Sequence, residues 1–466
     1  MITGKDLIAL GFKPAPWFKD AIVHINMNNL SGDALLEYAN SCVPVEPVMI
    51  PAHANPVNYH VNLVAETEDE KENLAGVNKV LATIMKTPTV VAGAVMPDAC
   101  PTGEKSVPVG TVVVSEKAIH PSWHSADICC SVMLTNFGMV DPKTVLDMAS
   151  KVTHFGPGGR TSSNHFRMSR DLVSEFENNE LLSTERSMKL AKEHLGTQGD
   201  GNHFLYVGRS KRTGETVVVT HHGSRGVGAN LYKTGMEIAE KFRKKLSKET
   251  TPENAWIPSD SEEGVTYWEA LQIIRKWTKE NHTVIHDEIA KKLKIDVLNR
   301  FWNEHNFVFK DGDLFYHAKG ATPVDKKFMP DVKGPQIIPL NMSQSILLVD
   351  GGTNENNLGF APHGAGRNLS RSAHKKTMGE KTIEQIFLEE TKGIDARFHS
   401  GRIDISELPS AYKNAEEVKR QIKEFNLAEV VDEILPYGCI MAGDGGEAPW
   451  KKAKEAKKAK KALEGK

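Results

Sequence analysis

From about residue 85 the chain becomes a series of short runs rich in valine and isoleucine: "TVVAGAV", "GTVVVS", "DICCSVML", "FLYVG", "ETVVVTHH" and "SILLVDGG". β-Branched side chains are stiff at χ1 and fit a pleated, half-buried surface, so these runs predict strands. Longer stretches with helical texture separate them, over residues 183–195, closed by Gly196, and over residues 227–246. "FVFKDGDLFYHAKG" predicts a hairpin turning at Asp311-Gly312. The alternation is that of an α+β protein with one large domain. Ahead of it the chain predicts short helices: Thr3 to Asp6 has the form of a capping box, "KDLIALG" supplies an apolar face and Gly11 a stop. The proline-broken "PVMIPAHANPVNYHVN" marks a boundary near residue 60. Residues 1–66 are thus expected to be a helical extension, 67–449 the main domain, and 450–466, "WKKAKEAKKAKKALEGK", a lysine-rich tail that is either a basic arm for nucleic acid or a solvated, frayed helix.

Composition narrows the function classes. Lys+Arg 58 against Asp+Glu 60 leaves no global basic excess, so a nucleic-acid partner must be met by a local patch. No apolar run approaches a membrane span and the N-terminus lacks a signal-peptide layout, so a cytoplasmic protein without a membrane partner is expected. The 5 cysteines are irregularly placed and two are adjacent, Cys129 and Cys130, which fits metal-binding or catalytic thiols better than a disulfide framework. With 18 histidines, metal chemistry is worth seeking.

The segment "APHGAGRNLSR" sets His363 directly ahead of a glycine turn that opens onto Arg367 and Arg371. Glycines let backbone N–H groups approach an anion and arginines grip phosphate in a fork, so this pattern points to phosphate chemistry beside an imidazole. "SADICCSVM" carries Asp127 and Cys130, "GDGNHFLYVG" carries Asn202 and His203, and "THHGSRGVGAN" carries His221 and Arg225. "NEHNFVF" adds His305 and "YHAKGA" adds Lys319. Asp127, Cys130, His203, His221 and His305 form a candidate ligand set for one or two divalent ions, with zinc, iron, cobalt and manganese all suited to such mixed donors. Arg225, Lys319 and Arg367 are candidate phosphate clamps. Two ions sharing a thiolate would hold both the attacking and leaving oxygens of a phosphoryl transfer. His363 would then act as nucleophile, since neutral imidazole, with a reference pKa of about 6.5, attacks an activated phosphate at neutral pH.

Taken in order, these segments resemble the RtcB-type RNA ligases. "AVMPDAC" resembles that family's "MPDVH", "SADICCSVM" its "GVDIGCGM", "HLGTQGDGNHF" its "HLGTLGTGNHF" and "HHGSRGVG" its "HSGSRGIG". "EHNFV" resembles "HHNYV", "KGATP" resembles "KGAVSA", "HGAGRNLSR" resembles "HGAGR" with its following "MSR", and "LPSAYKNAEEV" resembles "IPMAYK". The resemblance implies a mixed β-sheet core with surrounding helices in a catalytic domain over 67–449. It implies joining of RNA 3′-phosphate or 2′,3′-cyclic phosphate ends to 5′-hydroxyl ends in RNA repair or splicing, with GTP and two Mn²⁺ ions. It implies that Asp127, Cys130 and His203 hold one manganese and Cys130, His221 and His305 the other, and that His363 attacks the nucleotide. Asn202, Arg225, Lys319, Gly364, Ala365, Gly366 and Arg367 match nucleotide and phosphate contacts, Asp98 an acid near the reacting RNA end, and Tyr412 a cover for the guanine. Departures from the pattern are Cys129 where glycine is usual, Cys100 in place of histidine, Tyr206 in place of a guanine-reading glutamate, "PLNMS" for "PGSMG", and Ala442 about where a near-terminal lysine is usual. The departures leave open an RNA-end phosphodiesterase that has kept the metals but lost nucleotide activation, or a non-catalytic RNA-binding protein.

Overall fold

A computed structural model of the chain describes residues 1–43, 49–103, 105–377, 379 and 381–445. The chain divides between Ile50 and Pro51 into two compact units. The first holds helices Gly4–Ala9, Phe18–Met27 and Gly32–Cys42, closed around Leu7, Phe18, Ala21, Ile25 and Ala39. Its first helix starts as its sequence dictates, with the Thr3 N–H donating to Asp6 at 2.7 Å, and Gly11 takes the positive φ of +94° that ends it. The boundary falls ahead of residue 66 because the His60–Val61 strand pairs with Ala94 and Val95 in the second unit, and the Asn62 N–H donates to Val95 O at 2.9 Å. The lysine-rich segment 450–466 lies outside the described residues.

The second unit is an α+β body built on a 12-stranded sheet. In spatial order its strands are His60–Val61, Val90–Cys100, Val109–Glu116, Leu314–Lys319, Asn299–Asp311, Cys130–Asn136, Thr216–His222, Phe204–Ser210, Glu429–Met441, Ile346–Asp350 and Gln336–Pro339, with Asp395–Phe398 beside Glu429–Met441. The sheet is mixed: the first pair and the Asp395–Phe398 pair are parallel and the other ladders antiparallel. All six valine-rich runs enter it, and the hairpin turns at Gly312 with Leu314 opposite Asp311. The expected helices run Glu185–His194, where the Thr184 hydroxyl accepts from Ser187 N–H, and Arg225–Leu246. Glu429–Met441 has no such run, since its sequence "EVVDEILPYGCIM" is charged at one end and holds a proline. Pro436 is tolerated because the register against Phe204–Ser210 shifts between Pro436 and Gly438. Among the described residues no helix is long and apolar enough to cross a membrane.

The helix Glu262–Leu293 backs the centre of this sheet, with Ile285 and Ile289 on Leu205, Val207 and Val218, and beside this apolar contact runs a polar one. His282 Nε2 lies 3.0 Å from Ser131 Oγ, and Thr220 Oγ1 sits 2.7 Å from both His282 Nδ1 and His286 Nε2. His286 Nδ1 meets Thr135 Oγ1 at 2.7 Å. Burial lowers both histidines well below their usual range, so they stay neutral and each ring has one donor and one acceptor to place. The hydroxyl of Thr220 gives to one ring and takes from the other. Ser131 and Thr220 adjoin Cys130 and His221, so this network fixes the strands that carry the candidate ligands. Thr220→Val keeps the shape but strands two buried ring nitrogens, and we expect it to cost about 1–3 kcal/mol, read as a lowered denaturant midpoint at unchanged slope.

Candidate active site

Cys130 opens its strand behind a tight reversal. Cys129 has a left-handed φ of +59°, its N–H donates to Asn306 O at 2.7 Å, and the Cys130 N–H donates to Asp127 O at 3.2 Å. The reversal folds the Asp127 carboxylate back beside the thiol and sends the Cys129 side chain into the core with Ile128 and Met133. Opposite, the ladder is irregular: Cys130 pairs with Asn306 and Ser131 with Glu304, so His305 is an extra residue in a bulge. Bulges re-aim a side chain, and this one brings His305 to the cluster. His221 arrives from the other neighbouring strand, where it stands opposite both Val132 and Phe204.

The donor atoms converge. Cys130 Sγ is 3.1 Å from His221 Nε2 and 3.7 Å from His203 Nε2. His221 Nε2 is 3.1 Å from His305 Nε2, and His203 Nε2 is 3.4 Å from Asp127 Oδ2. The donors of Cys130, His221 and His305 all lie within 4.8 Å of one another, as do those of Asp127, Cys130 and His203, with Cys130 common to both groups. His221 Nδ1 faces Asn202 O at 3.2 Å, which fixes that nitrogen as the donor and turns the Nε2 lone pair inward. Burial pushes the Cys130 thiol well up and pulls His221 down to about 3. A thiol, three imidazoles and a carboxylate packed this closely fit one or two divalent cations, which would satisfy lone pairs that have too few protons between them.

His363 lies beside this cluster, its ring centroid 4.9 Å from that of His305. Asp98, fully buried, accepts with Oδ2 from the His363 N–H at 3.1 Å and from Nδ1 at 2.6 Å. That pairing makes Nδ1 the protonated nitrogen and leaves the lone pair on Nε2. Asp98 owes its place to a second irregularity: Val95 pairs with Thr111 but Cys100 with Val109, so residues 96–99 loop away from the ladder. Their freed carbonyls are met by Lys413, whose Nζ donates to Pro97 O at 3.0 Å and Ala99 O at 2.9 Å. The turn after His363 presses on the same loop, since a Cβ at Gly366, φ +73°, would come within 2.1 Å of Asp98 O.

A cavity of about 490 Å³ opens from His363 and His221 and is also lined by Asn202, the Gly364–Arg367 turn and Tyr412. Arg367 lies over the Tyr412 ring at 5.1 Å, and Glu407 gathers the group: Tyr412 Oη donates to it at 2.6 Å and Arg371 Nε is 2.8 Å away. Two candidate clamps are placed differently. Arg225 is not in the cavity wall; Nε donates to Thr197 Oγ1 at 3.2 Å and Nη2 to Gly156 O at 2.7 Å, bracing the loop that carries His203. Lys319 is buried, lowered to about 8 by that burial, and donates to Thr102 Oγ1 at 3.2 Å at the cavity edge. Glu407 and Lys413 escape a reading of the sequence, because an isolated acid and lysine in "SELPSAYK" have the look of surface charge until the fold buries them.

One family of known proteins matches most of the chain. The family described as "tRNA-splicing ligase RtcB" matches residues 80–442. The tRNA-splicing ligase RtcB of Archaeoglobus fulgidus is 28% identical over 428 residues, covering 75% of this chain and 87% of that protein. Its counterpart in Aeropyrum pernix is 31% identical over 299 residues, covering 55% of this chain and 61% of the relative. For that of Pyrococcus abyssi the figures are 29% over 295 residues, 55% and 32%, so the chain spans about a third of that relative's length. From the ordered motifs, the mixed sheet and this match over most of its length, the chain belongs to the RtcB family.

Proposed function

We propose that this chain is an RNA ligase that joins RNA 3′-phosphate or 2′,3′-cyclic phosphate ends to 5′-hydroxyl ends, in cytoplasmic RNA repair or splicing, through a nucleotidyl group carried on His363. The observation that carries the reading is the Asp98–His363 pair set against the converged donors of Cys130, His203, His221 and His305. Asp98 holds the Nδ1 proton, so Nε2 is free to attack the α-phosphorus of a nucleoside triphosphate, GTP in the family's pattern. An N–P bond forms and pyrophosphate leaves. An oxygen of the RNA 3′-phosphate then attacks the same phosphorus, the N–P bond breaks, and the nucleotide rests on the RNA end. The 5′-hydroxyl finally attacks the 3′-phosphate phosphorus and expels the nucleoside monophosphate, giving a 3′,5′-phosphodiester. A cyclic phosphate must first be opened by water.

Asp127, Cys130 and His203 would hold one Mn²⁺ ion and Cys130, His221 and His305 a second. Bound there, such ions neutralise charge on phosphoryl oxygens. Arg367 and the backbone of Gly364, Ala365 and Gly366 would meet phosphate in the cavity that they line, Asn202 and Tyr412 would complete the nucleotide contacts, and Lys319 would serve phosphate from the cavity edge. Arg225 acts through the His203 loop that it braces.

Incubation with labelled nucleotide and Mn²⁺, followed by intact mass measurement, tests the nucleophile. His363→Ala should give no covalent adduct while its metal content stays near wild type; an adduct on that variant would remove His363 from the role. Asp98→Asn loses the carboxylate that fixes the ring, and adduct formation should slow by about a hundredfold or more, as misplaced reacting groups do.

The thiols separate by the same logic. Cys130→Ser replaces a thiolate donor by a hydroxyl that stays protonated at neutral pH, and elemental analysis should show most of the metal gone. Cys129→Ser should keep the metal and lose only about 1–3 kcal/mol of stability for an unsatisfied buried hydroxyl. Equal metal loss in both variants would contradict the assignment.

A further inference from the structure

The cavity beside His363 has two unlike ends. One end holds His363, Arg367 and His221, with the Gly364–Arg367 turn proposed above to meet phosphate. The other end is floored by the sheet. Phe204 stands opposite His221, and Phe204 and Tyr206, two apart on one strand, share a face. Across the next ladder Met441 pairs with Phe204 and Cys439 with Tyr206, which puts all four on that face, and all four line the cavity. Ile346 and Met342 join them in one apolar cluster. A nucleotide with its α-phosphorus at His363 can lay its base on this apolar stretch.

Among the described residues, what is missing from the stretch is a group that reads a base edge. Guanine presents N1–H and N2–H₂ donors beside an O6 acceptor, and adenine presents an acceptor at N1 beside an N6–H₂ donor. Choosing between them takes a fixed acceptor or donor at that edge, most strongly a charged one. Tyr206 does not supply it: its hydroxyl donates to Ile434 O at 3.0 Å, with Gln344 O at 3.3 Å, so the ring shows the cavity only its carbon face. Burial pushes the Cys439 thiol up to about 12, leaving it neutral. Glu407 is the one carboxylate among the described lining residues, and it is committed to Arg371, Tyr412 and Arg367. Ala442 packs with Leu205, Val207 and Ile440 in a separate cluster and presents no polar group. Asn341 Oδ1 accepts from the Ser343 N–H. Asn368 Oδ1 is buried without a hydrogen-bond partner in the cavity wall, but an amide carries both an acceptor and donors and serves either purine.

We propose that this base subsite holds purines by shape and stacking without choosing guanine, and that Tyr206, by closing the floor with an apolar ring, sets that tolerance. The proposal rests on the nucleotidyl-transfer reading above, and ATP and GTP are then comparable substrates for His363. Stacking on aromatic and apolar walls is tolerant of the base, whereas a site that hydrogen-bonds an edge rejects the wrong base strongly.

Equilibrium binding of ATP and of GTP to the full-length His363→Ala protein, with Mn²⁺ present, tests the subsite without any chemistry. The two dissociation constants should agree within about tenfold, whereas preference for GTP above about a hundredfold, the scale of a charge-assisted edge contact, would overturn the proposal. Failure of both nucleotides to bind would overturn it too. The adduct assay on the wild-type protein is separate, so a binding-competent chain that forms no adduct sinks the nucleophile and not the subsite. Two variants locate the cause. Tyr206→Phe removes only the hydroxyl turned toward the backbone and should leave the ATP-to-GTP ratio at its wild-type value; a change of more than about tenfold would mean that the hydroxyl reads the base. Tyr206→Glu, where it folds, sets a carboxylate toward N1–H and N2–H₂ and should move the ratio toward GTP by roughly tenfold or more.

Discussion

The site depends on two places where the ladder of the main sheet is broken. At one, His305 is the extra residue opposite Cys130; at the other, residues 96–99 leave the ladder and carry Asp98. Alternate side chains of an antiparallel ladder face opposite ways, so the regular Val132–His221 pair already puts Cys130 and His221 on one face, and the break sets His305 between the Asn306 and Glu304 pairings beside Cys130. Each break frees backbone groups that must be met. Cys129 adopts a left-handed turn whose N–H reaches Asn306 O, and Lys413 spends its buried ammonium on Pro97 O and Ala99 O. His305 and Asp98 thus share one device, an interruption repaired by a specific neighbour.

Rigidity behind the site comes from a polar source. Ser131, Thr135 and Thr220 would be poor choices for the back face of a buried sheet unless matched, and His282 and His286 on the long helix match them. Every one of these bonds has to be made, because an unmet buried polar group costs more than a made one contributes. Such a network has one satisfactory arrangement, so it fixes strand position more sharply than aliphatic contact would.

Much of this was legible in the sequence, for reasons that differ by element. The valine-rich runs mark their strands because both faces are covered, and the Asp311-Gly312 turn marks its hairpin. His203 and His221 stand at glycine-flanked strand ends and His305 in "NEHNFVF"; one such imidazole alone is usually structural, but several such segments together point to a site, and the fold does bring them to Cys130 and Asp127. The strand Glu429–Met441 was not legible, since its charged, half-exposed start and its Pro436 follow from an irregular register that only the folded ladder explains. Nor was the boundary at residue 50, because a two-residue strand, His60–Val61, decides it. Arg225 reads from "HGSRG" as a phosphate clamp, yet its guanidinium is taken up by Thr197 and Gly156. Sequence spacing names the residue type that suits a task; it does not show which neighbour has already claimed it.

The phosphate chemistry and the base recognition proposed for this cavity would be encoded differently. The first draws on backbone conformation, ladder breaks and buried donors spread over many segments, from Asp98 to Arg367, so it leaves an ordered trail of motifs. The second rests on the tips of a few side chains on one face of two strands, and a change at Tyr206 alters it without disturbing a hydrogen bond of the ladder. Tyr206 still pairs with Val219 and Cys439 through its backbone, as any residue in that position would. The donor cluster and the Asp98–His363 pair rest on the geometry of the folded ladder and its breaks. The character of the proposed base subsite has to be read from its own walls, where Phe204, Tyr206, Cys439 and Met441 present one largely apolar face.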